Sequence, residues 1–291
     1  MIQNEHLPLS GILTIARLTF QEAARRKILL AALLLGILFL IVFGLGFHFI
    51  MLDFEVGTET STLVELNAFR NFILMAGLYV VNFLTAIMTV LTSVDTVSGE
   101  INSGIIQTVV SKPVRRWEVI VGKWLGYAGM LSLYLLLLAG GVIGLIYFRS
   151  GYLPPNPLAG MGLIWLNALI LLSVSIFGGT VFSTLANGVL VFGLYGVAFI
   201  GGWIETIGGF LPDQASSQTA INIGVVTSLL LPSEALWKRA AHEIQSPLAA
   251  ILGITPFSAG SYPSNIMILY SIAYLALAIG LAIYQFNHRD L

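Results

Sequence analysis

Residues 94–127 read VDTVSGEINSGIIQTVVSKPVRRWEVIVGKWLGY. This polar segment carries seven formally charged residues of a chain that has only 13 Lys and Arg and 14 Asp and Glu. A long apolar run lies on each side of it. Because charged side chains are costly inside lipid, the segment predicts the place where a membrane protein meets an aqueous partner.

The composition around this segment is that of a membrane protein. The chain is 57% hydrophobic and 9% charged, whereas soluble domains are about 25% charged. A soluble fold cannot bury so much apolar surface, but lipid can cover it. No polar stretch is long enough for a second core, so we predict one all-α transmembrane domain over residues 1–291. The net charge of −1 argues against a nucleic-acid partner, and the absence of cysteine excludes thiolate chemistry.

Six apolar runs are long enough to cross a bilayer. They are residues 28–50, 72–93, 121–148, 161–182, 188–204 and 265–286. With the N-terminus inside, nine of the 13 Lys and Arg residues fall on the cytoplasmic side and four on the other. The positive-inside rule therefore predicts a multi-pass protein of the cytoplasmic (inner) membrane with both termini in the cytoplasm.

The region between the fifth and sixth runs predicts a re-entrant hairpin from the outer face. Residues 220–231 form an apolar run that is too short to span, and Pro232 ends it. A second helix follows, with Trp237 expected at the headgroup boundary. Its polar side chains expected towards water are Lys238, Arg239 and Glu243. The alternatives are an exposed loop with surface helices, or a seventh span that would move Lys238 and Arg239 inside.

Residues 10–27 predict an amphipathic helix in the cytoplasmic interface. Apolar residues recur at helical spacing, and Arg17, Gln21 and Arg25 lie on the other side. The alternative is an ordinary basic flank of the first span.

The sequence contains little that indicates an enzyme or a self-powered carrier. His242-Glu243 lacks the second histidine of H-E-x-x-H, and no P-loop pattern occurs. No span centre carries Asp, Glu, Lys or Arg, which proton- or sodium-coupled carriers use. We therefore expect no catalytic residue, no metal site and no cofactor in this chain, and expect any energy for transport to come from elsewhere.

The polar segment itself predicts a helix, a turn and a second helix. Residues 95–110 extend the second span, with Glu100, Gly104 and Gln107 along one side and Ile101 and Ile105 along another. Pro113 ends this helix and begins the next, because proline disfavours helix at the residue before it but suits the first helical position. Such a rigid connection can pass movement from a cytoplasmic partner into the membrane.

Residues 98–123 resemble the first cytoplasmic loop of the ATP-binding-cassette (ABC) type-2 permease family. The family pattern is a Glu, a Gly four residues later, an apolar stretch, Ser-x-Pro, a basic residue and then Gly-Lys. The matching residues are Glu100, Gly104, Ser111, Pro113, Arg116, Gly122 and Lys123. Ile105 departs from the pattern, because a hydroxyl residue usually follows that Gly. Arg115 replaces a small polar residue.

The resemblance implies the membrane subunit of an exporter in which two permeases, identical or paralogous, pair with two separate ATPase subunits that carry ATP and Mg. Residues 100–110 would form a coupling helix in a groove of the ATPase, braced by the N-terminal helix. The predicted coupling residues are Glu100, Ile101, Gly104, Ile105, Gln107 and Pro113. The predicted interfacial anchors are Arg17, Arg25, Arg26, Lys112, Arg115, Arg116, Trp117 and Lys123.

Glu100 is expected to anchor the coupling helix, with an Arg or Lys of the N-terminal helix or of the ATPase as its partner. The alternative for Glu100 is a helix-surface carboxylate in water. The alternative functions for the chain are a membrane scaffold or channel that acts without an ATPase, and an intramembrane enzyme of another type. Lipids, peptides, hydrophobic drugs, saccharide carriers and ions all remain open as substrates.

Overall fold

The computed structural model describes residues 8–57, 63–103, 115–246 and 262–289. These ranges are helical and contain no strand. The helices of the described residues are α1 (Pro8–Arg25), α2 (Lys27–Gly57), α3 (Leu63–Ser93), α4 (Ser98–Asn102), α5 (Arg116–Ser150), α6 (Pro157–Val181), α7 (Thr184–Gly208), α8 (Gln214–Leu230), α9 (Ser233–Ile244) and α10 (Asn265–His288). The predicted all-α class is confirmed.

Six of these helices are long and apolar enough to cross a membrane, or up to seven if the bent pair α8 and α9 forms one span. The six are α2, α3, α5, α6, α7 and α10, and each coincides with one predicted apolar run. Local sequence sets several of their ends. Gly151, at φ 68°, ends α5 in the left-handed conformation that glycine tolerates. Pro157 begins α6, because a residue at the first helical position does not need a backbone N–H for a hydrogen bond within the helix.

Helix α6 lies at the centre of the bundle and packs against α3, α5, α7, α9 and α10. Its polar side chains are buried against polar groups of its neighbours. Asn167 Nδ2 donates to Asn82 Oδ1 of α3 at 3.0 Å, and Trp124 Nε1 of α5 donates to Ser173 Oγ at 2.9 Å. Such pairing satisfies polar groups that lipid could not. Helices α2 and α10 lie at the periphery, with most of their apolar surface exposed.

Helix α1 packs its apolar face across the start of α5. Gly122 and Gly126 permit this contact. A Cβ at Gly122 would lie 2.7 Å from Ile15 Cβ, and a Cβ at Gly126 would lie 2.7 Å from Ala16 O. The predicted apolar face is therefore buried, but against protein. Arg17 and Arg25 remain exposed on the opposite side. The interfacial position of α1 stays a prediction.

Helices α8 and α9 form a sharply bent pair, with 107° between them. Helix α8 runs antiparallel to α7, since Gly208 of α7 abuts Ala220 and Gly201 abuts Thr227. Helix α9 then returns to the start of α6, where the Ile244 side chain packs on Gly160. The pair therefore enters and leaves at the same end of the bundle.

Two tyrosines of α10 hold the bend between α8 and α9. Tyr270 Oη donates to Leu229 O at 2.6 Å, and Tyr274 Oη donates to Leu230 O at 3.0 Å. These carbonyls end α8 and have no partner within it, so the tyrosines satisfy groups that lipid would leave bare. At its other end, α8 is capped by Asp213, which accepts from Ser216 N at 3.0 Å and from Ser216 Oγ at 2.6 Å. These hydrogen bonds from Ser216 hold the pKa of Asp213 below its usual range.

The prediction for the faces of α9 was wrong at two positions. The Trp237 side chain is 2% exposed and does not lie at a boundary, and Lys238 is buried and does not face water. The reason is tertiary: α6 and α7 cover α9 from several sides, so its amphipathic pattern does not indicate a solvent face. Arg239 and Glu243 form an ion pair at 2.9 Å on the more open side.

Candidate functional site: the joint at residues 94–103

The polar segment leaves α3 through a turn. Residues 94–97 form this turn, and α4 follows as a helix of five residues. Backbone hydrogen bonds from Gly99 N to Asp95 O at 3.1 Å and from Ile101 N to Val97 O at 3.0 Å continue the helical path through this turn, and the apolar span that begins in α3 extends to Ile101. The predicted extension of the second span is therefore present as far as the described residues reach, with a turn at residues 94–97. Its remainder, with the predicted site residues Gly104, Ile105, Gln107, Lys112 and Pro113, lies outside the described residues. We call residues 94–103 the joint.

A buried ion pair fastens α4 to α5. Lys123 Nζ donates to Glu100 Oε1, and the two side chains are 7% and 15% exposed. Lys123 Nζ also approaches Thr96 O at 3.4 Å. Glu100 was expected to pair with a basic residue of the N-terminal helix or of an ATPase. Among the described residues its partner is Lys123 of α5 and not a basic residue of the N-terminal helix, because α5 returns directly beside α4. For the same reason, Lys123 is not an interfacial anchor. Pairing of Glu100 with an ATPase stays a prediction.

Asp95 connects the joint to two other parts of the chain. Its Oδ2 lies 3.7 Å from Arg26 Nη1, and Arg26 also pairs with Glu22 at 2.8 Å. Its Oδ1 accepts from Thr184 Oγ1 at 3.2 Å, and that hydroxyl lies 2.9 Å from Ser98 Oγ. The joint is therefore held to the end of α1 and to the start of α7. Neither Asp95 nor Thr184 was among the predicted site residues.

Asn187 of α7 links the joint to α6. Its fully buried Nδ2 donates to Val94 O at 3.1 Å and to Ser175 O at 2.9 Å. Gly178 of α6 makes room for it, because a Cβ there would lie 2.1 Å from Asn187 Oδ1. One side chain thus connects the end of α3, the body of α6 and the start of α7. Asn187 was not among the predicted site residues. Its sequence carried a usable signal, because a polar residue stands at the start of an apolar run and follows the pair Gly178-Gly179 by eight residues.

The predicted anchors lie in different environments. Arg116 Nη1 donates to Asn287 O at 3.2 Å and to Arg289 O at 2.9 Å, so it caps the end of α10. Arg289 in turn donates to Thr180 O of α6. Arg115 is exposed at the N-cap of α5, where its backbone N–H donates to Glu118 Oε2 at 3.3 Å. Trp117 is half-buried beside it, and Ile101 packs against the core.

These contacts bring one end of the bundle together: α1, the joint, and the adjoining ends of α5, α6, α7 and α10. Displacement of α4 would act directly on α5 through Lys123, and on α6 and α7 through Asn187. Charged and amide groups hold these links where water is largely excluded, which makes them costly to break singly.

Comparison with known proteins agrees with this architecture. The family model described as ABC-2 family transporter protein matches residues 13–291. No curated protein sequence matches the chain significantly. The family match covers all six candidate spans as well as the joint and the bent pair, so it applies to the whole fold. The chain is a multi-pass membrane protein that belongs to the ABC-2 family of transporter proteins.

Proposed function

We propose that this chain is the permease subunit of an ABC exporter and that the joint receives movement from a separate ATPase subunit. Family membership supports a membrane transport component that works with an ABC ATPase. The observation that carries the coupling role is the Glu100–Lys123 pair, which fixes a short helix at the end of the bundle to the body of α5. ATP and Mg would bind the partner, and this chain would hold neither.

The path of movement follows from the contacts of the joint. A push on α4 reaches α5 through the Glu100–Lys123 pair and reaches α6 and α7 through the two hydrogen bonds of Asn187. Helix α1 lies across α5 and would resist a sideways displacement of its start. Rigid helices linked by buried polar contacts transmit a displacement as a shift of whole helices. Such a shift would change access to a path beside them.

The placement in the membrane belongs to the same proposal. Both termini and the joint lie in the cytoplasm, and α1 rests at the inner surface with Arg17 and Arg25 towards headgroups. The α8–α9 hairpin dips in from the outer face and ends between helices. Exposed apolar surface on α2 leaves room for a second permease, either an identical or a paralogous copy.

The test is purification of the chain with an ABC ATPase subunit, followed by measurement of ATP hydrolysis in lipid. Wild type is compared with Glu100→Ala and Glu100→Gln. Glu22→Ala is the matched control, because Glu22 is an exposed carboxylate at the same end, and its removal leaves the contact between Arg26 and Asp95 of the joint in place. We expect a stable wild-type complex and a several-fold change of ATPase rate in both Glu100 variants, with Glu22→Ala unchanged.

The opposite result would be a wild-type chain that binds no ABC ATPase. That outcome would overturn the proposal and favour a scaffold or channel that acts alone. A complex that forms, but whose ATPase rate is unaffected by either Glu100 variant, would retain the transporter and reject the joint as its coupling element.

A further inference from the structure

A cavity of about 300 Å³ lies at the end of the bundle opposite the joint. It is lined by residues of α8, α9, the end of α7, the start of α10 and residues 262–264 before it. Its lining combines an apolar wall with a charged end. The lining residues are Glu205, Ile221, Val225, Ser228, Leu229, Ala235, Lys238, Tyr262, Pro263, Ser264 and Met267.

The charged end is built from a buried ion pair. Lys238 Nζ lies 2.6 Å from Glu205 Oε2, and the side chains are 5% and 13% exposed. Gly224 of α8 makes room for the carboxylate, since a Cβ there would lie 2.2 Å from Glu205 Oε2. A lysine ammonium has three N–H donors. Among the described residues only Glu205 Oε2 lies within ion-pair distance of it. Lys238 thus brings further donor capacity to the cavity.

The apolar wall is a stripe along α8. Ile221, Val225 and Leu229 are spaced by four residues and cover about 12 Å of helix. Val225 and Leu229 are each half exposed, on a helix that is apolar enough to enter lipid when it is taken together with α9. The cavity therefore opens sideways towards the hydrocarbon, and its charged end lies deeper among the helices.

The charges around this end select the ligand. The Lys238–Glu205 pair that lines the cavity is neutral. A purely anionic head group would meet the Glu205 carboxylate, and a purely cationic one would meet the Lys238 ammonium. A head group with an anion and a primary ammonium side by side matches the pair, with the anion accepting from Lys238 and the ammonium donating to Glu205.

We propose that this cavity binds a zwitterionic phospholipid, with its phosphoethanolamine head against the Lys238–Glu205 pair and one acyl chain along the α8 stripe. The site would fix the α8–α9 hairpin in place. This inference does not depend on the ATPase partner and stands or falls separately from the proposed function.

The test uses the full chain purified in detergent and then exchanged into bilayer discs of phosphatidylethanolamine, phosphatidylcholine or phosphatidylglycerol. Lipid that survives a second detergent exchange is counted by mass spectrometry of the intact protein. We expect one retained phosphatidylethanolamine per chain, with at least tenfold less retention of the other two lipids. A choline head cannot donate hydrogen bonds to Glu205, and a glycerol head leaves the lipid anionic.

Two variants locate the lipid. Val225→Trp fills the cavity from a half-exposed position, and Val226→Trp is its matched control, since Val226 is exposed on the same helix but does not line the cavity. The double variant Glu205→Gln/Lys238→Met removes both charges together, so that neither is left buried alone. We expect at least a tenfold loss of bound phosphatidylethanolamine in Val225→Trp and in the double variant, and none in Val226→Trp.

Three outcomes would overturn the assignment. The first is equal retention of all three lipids, and the second is full retention by Val225→Trp. The third is that soluble phosphoethanolamine, added as a competitor, binds to the chain while no lipid is retained. That outcome would identify a free head group as the ligand instead of a lipid. If the double variant does not fold, the Val225→Trp and Val226→Trp comparison decides the question.

Discussion

At the scale of single residues, the joint depends on polar groups that are removed from water. Glu100 and Lys123 are both largely buried and face each other, while Asn187 donates to one backbone carbonyl of the joint and to one of α6. A buried charge is tolerated only while its partner is present, so each such residue fixes the position of another. Exposed charges of the same end, such as Glu22 with Arg26, contribute far less.

Removal of one member of the buried pair gives a prediction at this scale. Lys123→Met leaves the Glu100 carboxylate buried without its cation, and we expect it to lower the free energy of unfolding by about 3 kcal/mol. The double variant Lys123→Met/Glu100→Gln should recover most of this loss. The measurement is the thermal unfolding midpoint in detergent for all four members of the cycle. Additive losses in the double variant would show that the two side chains are not coupled.

At the scale of elements, glycines decide how closely helices approach. Gly122 and Gly126 set the crossing of α1 over α5, and Gly201, Gly208 and Gly224 set the contact between α7 and α8. A glycine in a membrane helix lowers its intrinsic helix propensity but allows backbones to meet. The same residue type elsewhere has no such task, since a Cβ at Gly140 of α5 would meet nothing within 4 Å.

This difference gives a prediction for α1. Gly126→Leu places a side chain where Cβ would already lie 2.7 Å from Ala16 O and 2.8 Å from Thr19 Cβ, so α1 must move away. We expect at least tenfold faster amide hydrogen exchange over residues 11–25. Gly140→Leu, on the same helix, is the control and should leave that exchange unchanged. Equal protection of α1 in both variants would mean that it does not depend on this contact.

At the scale of the whole molecule, the fold has two chemically different ends. One end gathers α1, the joint, the turn before α7 and the end of α10 through hydrogen bonds and ion pairs. The other holds the bent pair of α8 and α9, where Lys238 is buried against Glu205. Burial of Lys238 bears on the predicted charge asymmetry of the two ends, because a lysine paired inside the protein does not act as a free positive charge at the surface.

The proposed orientation predicts which surfaces are reached from each side of the membrane. The chain has no cysteine, so single cysteines report without background. Ser103→Cys and Leu185→Cys, both exposed near the joint, should react with an impermeant maleimide only in inside-out vesicles. Leu153→Cys and Phe210→Cys, exposed at the other end, should react only in right-side-out vesicles. Labelling of Ser103→Cys and Phe210→Cys in the same vesicle orientation would contradict the proposed topology.

The sequence by itself determined the helical class and the six apolar runs, because apolar length and composition act locally along the chain. It also placed the break after residue 231, since a proline in the interior of a helical run breaks or kinks the helix. It could not determine partners. The Glu100–Lys123 contact, the role of Asn187, the capping of α10 by Arg116 and the burial of Trp237 and Lys238 each depend on which helices become neighbours. Those neighbours are set by close packing at a few glycines, and only the tertiary structure decided them.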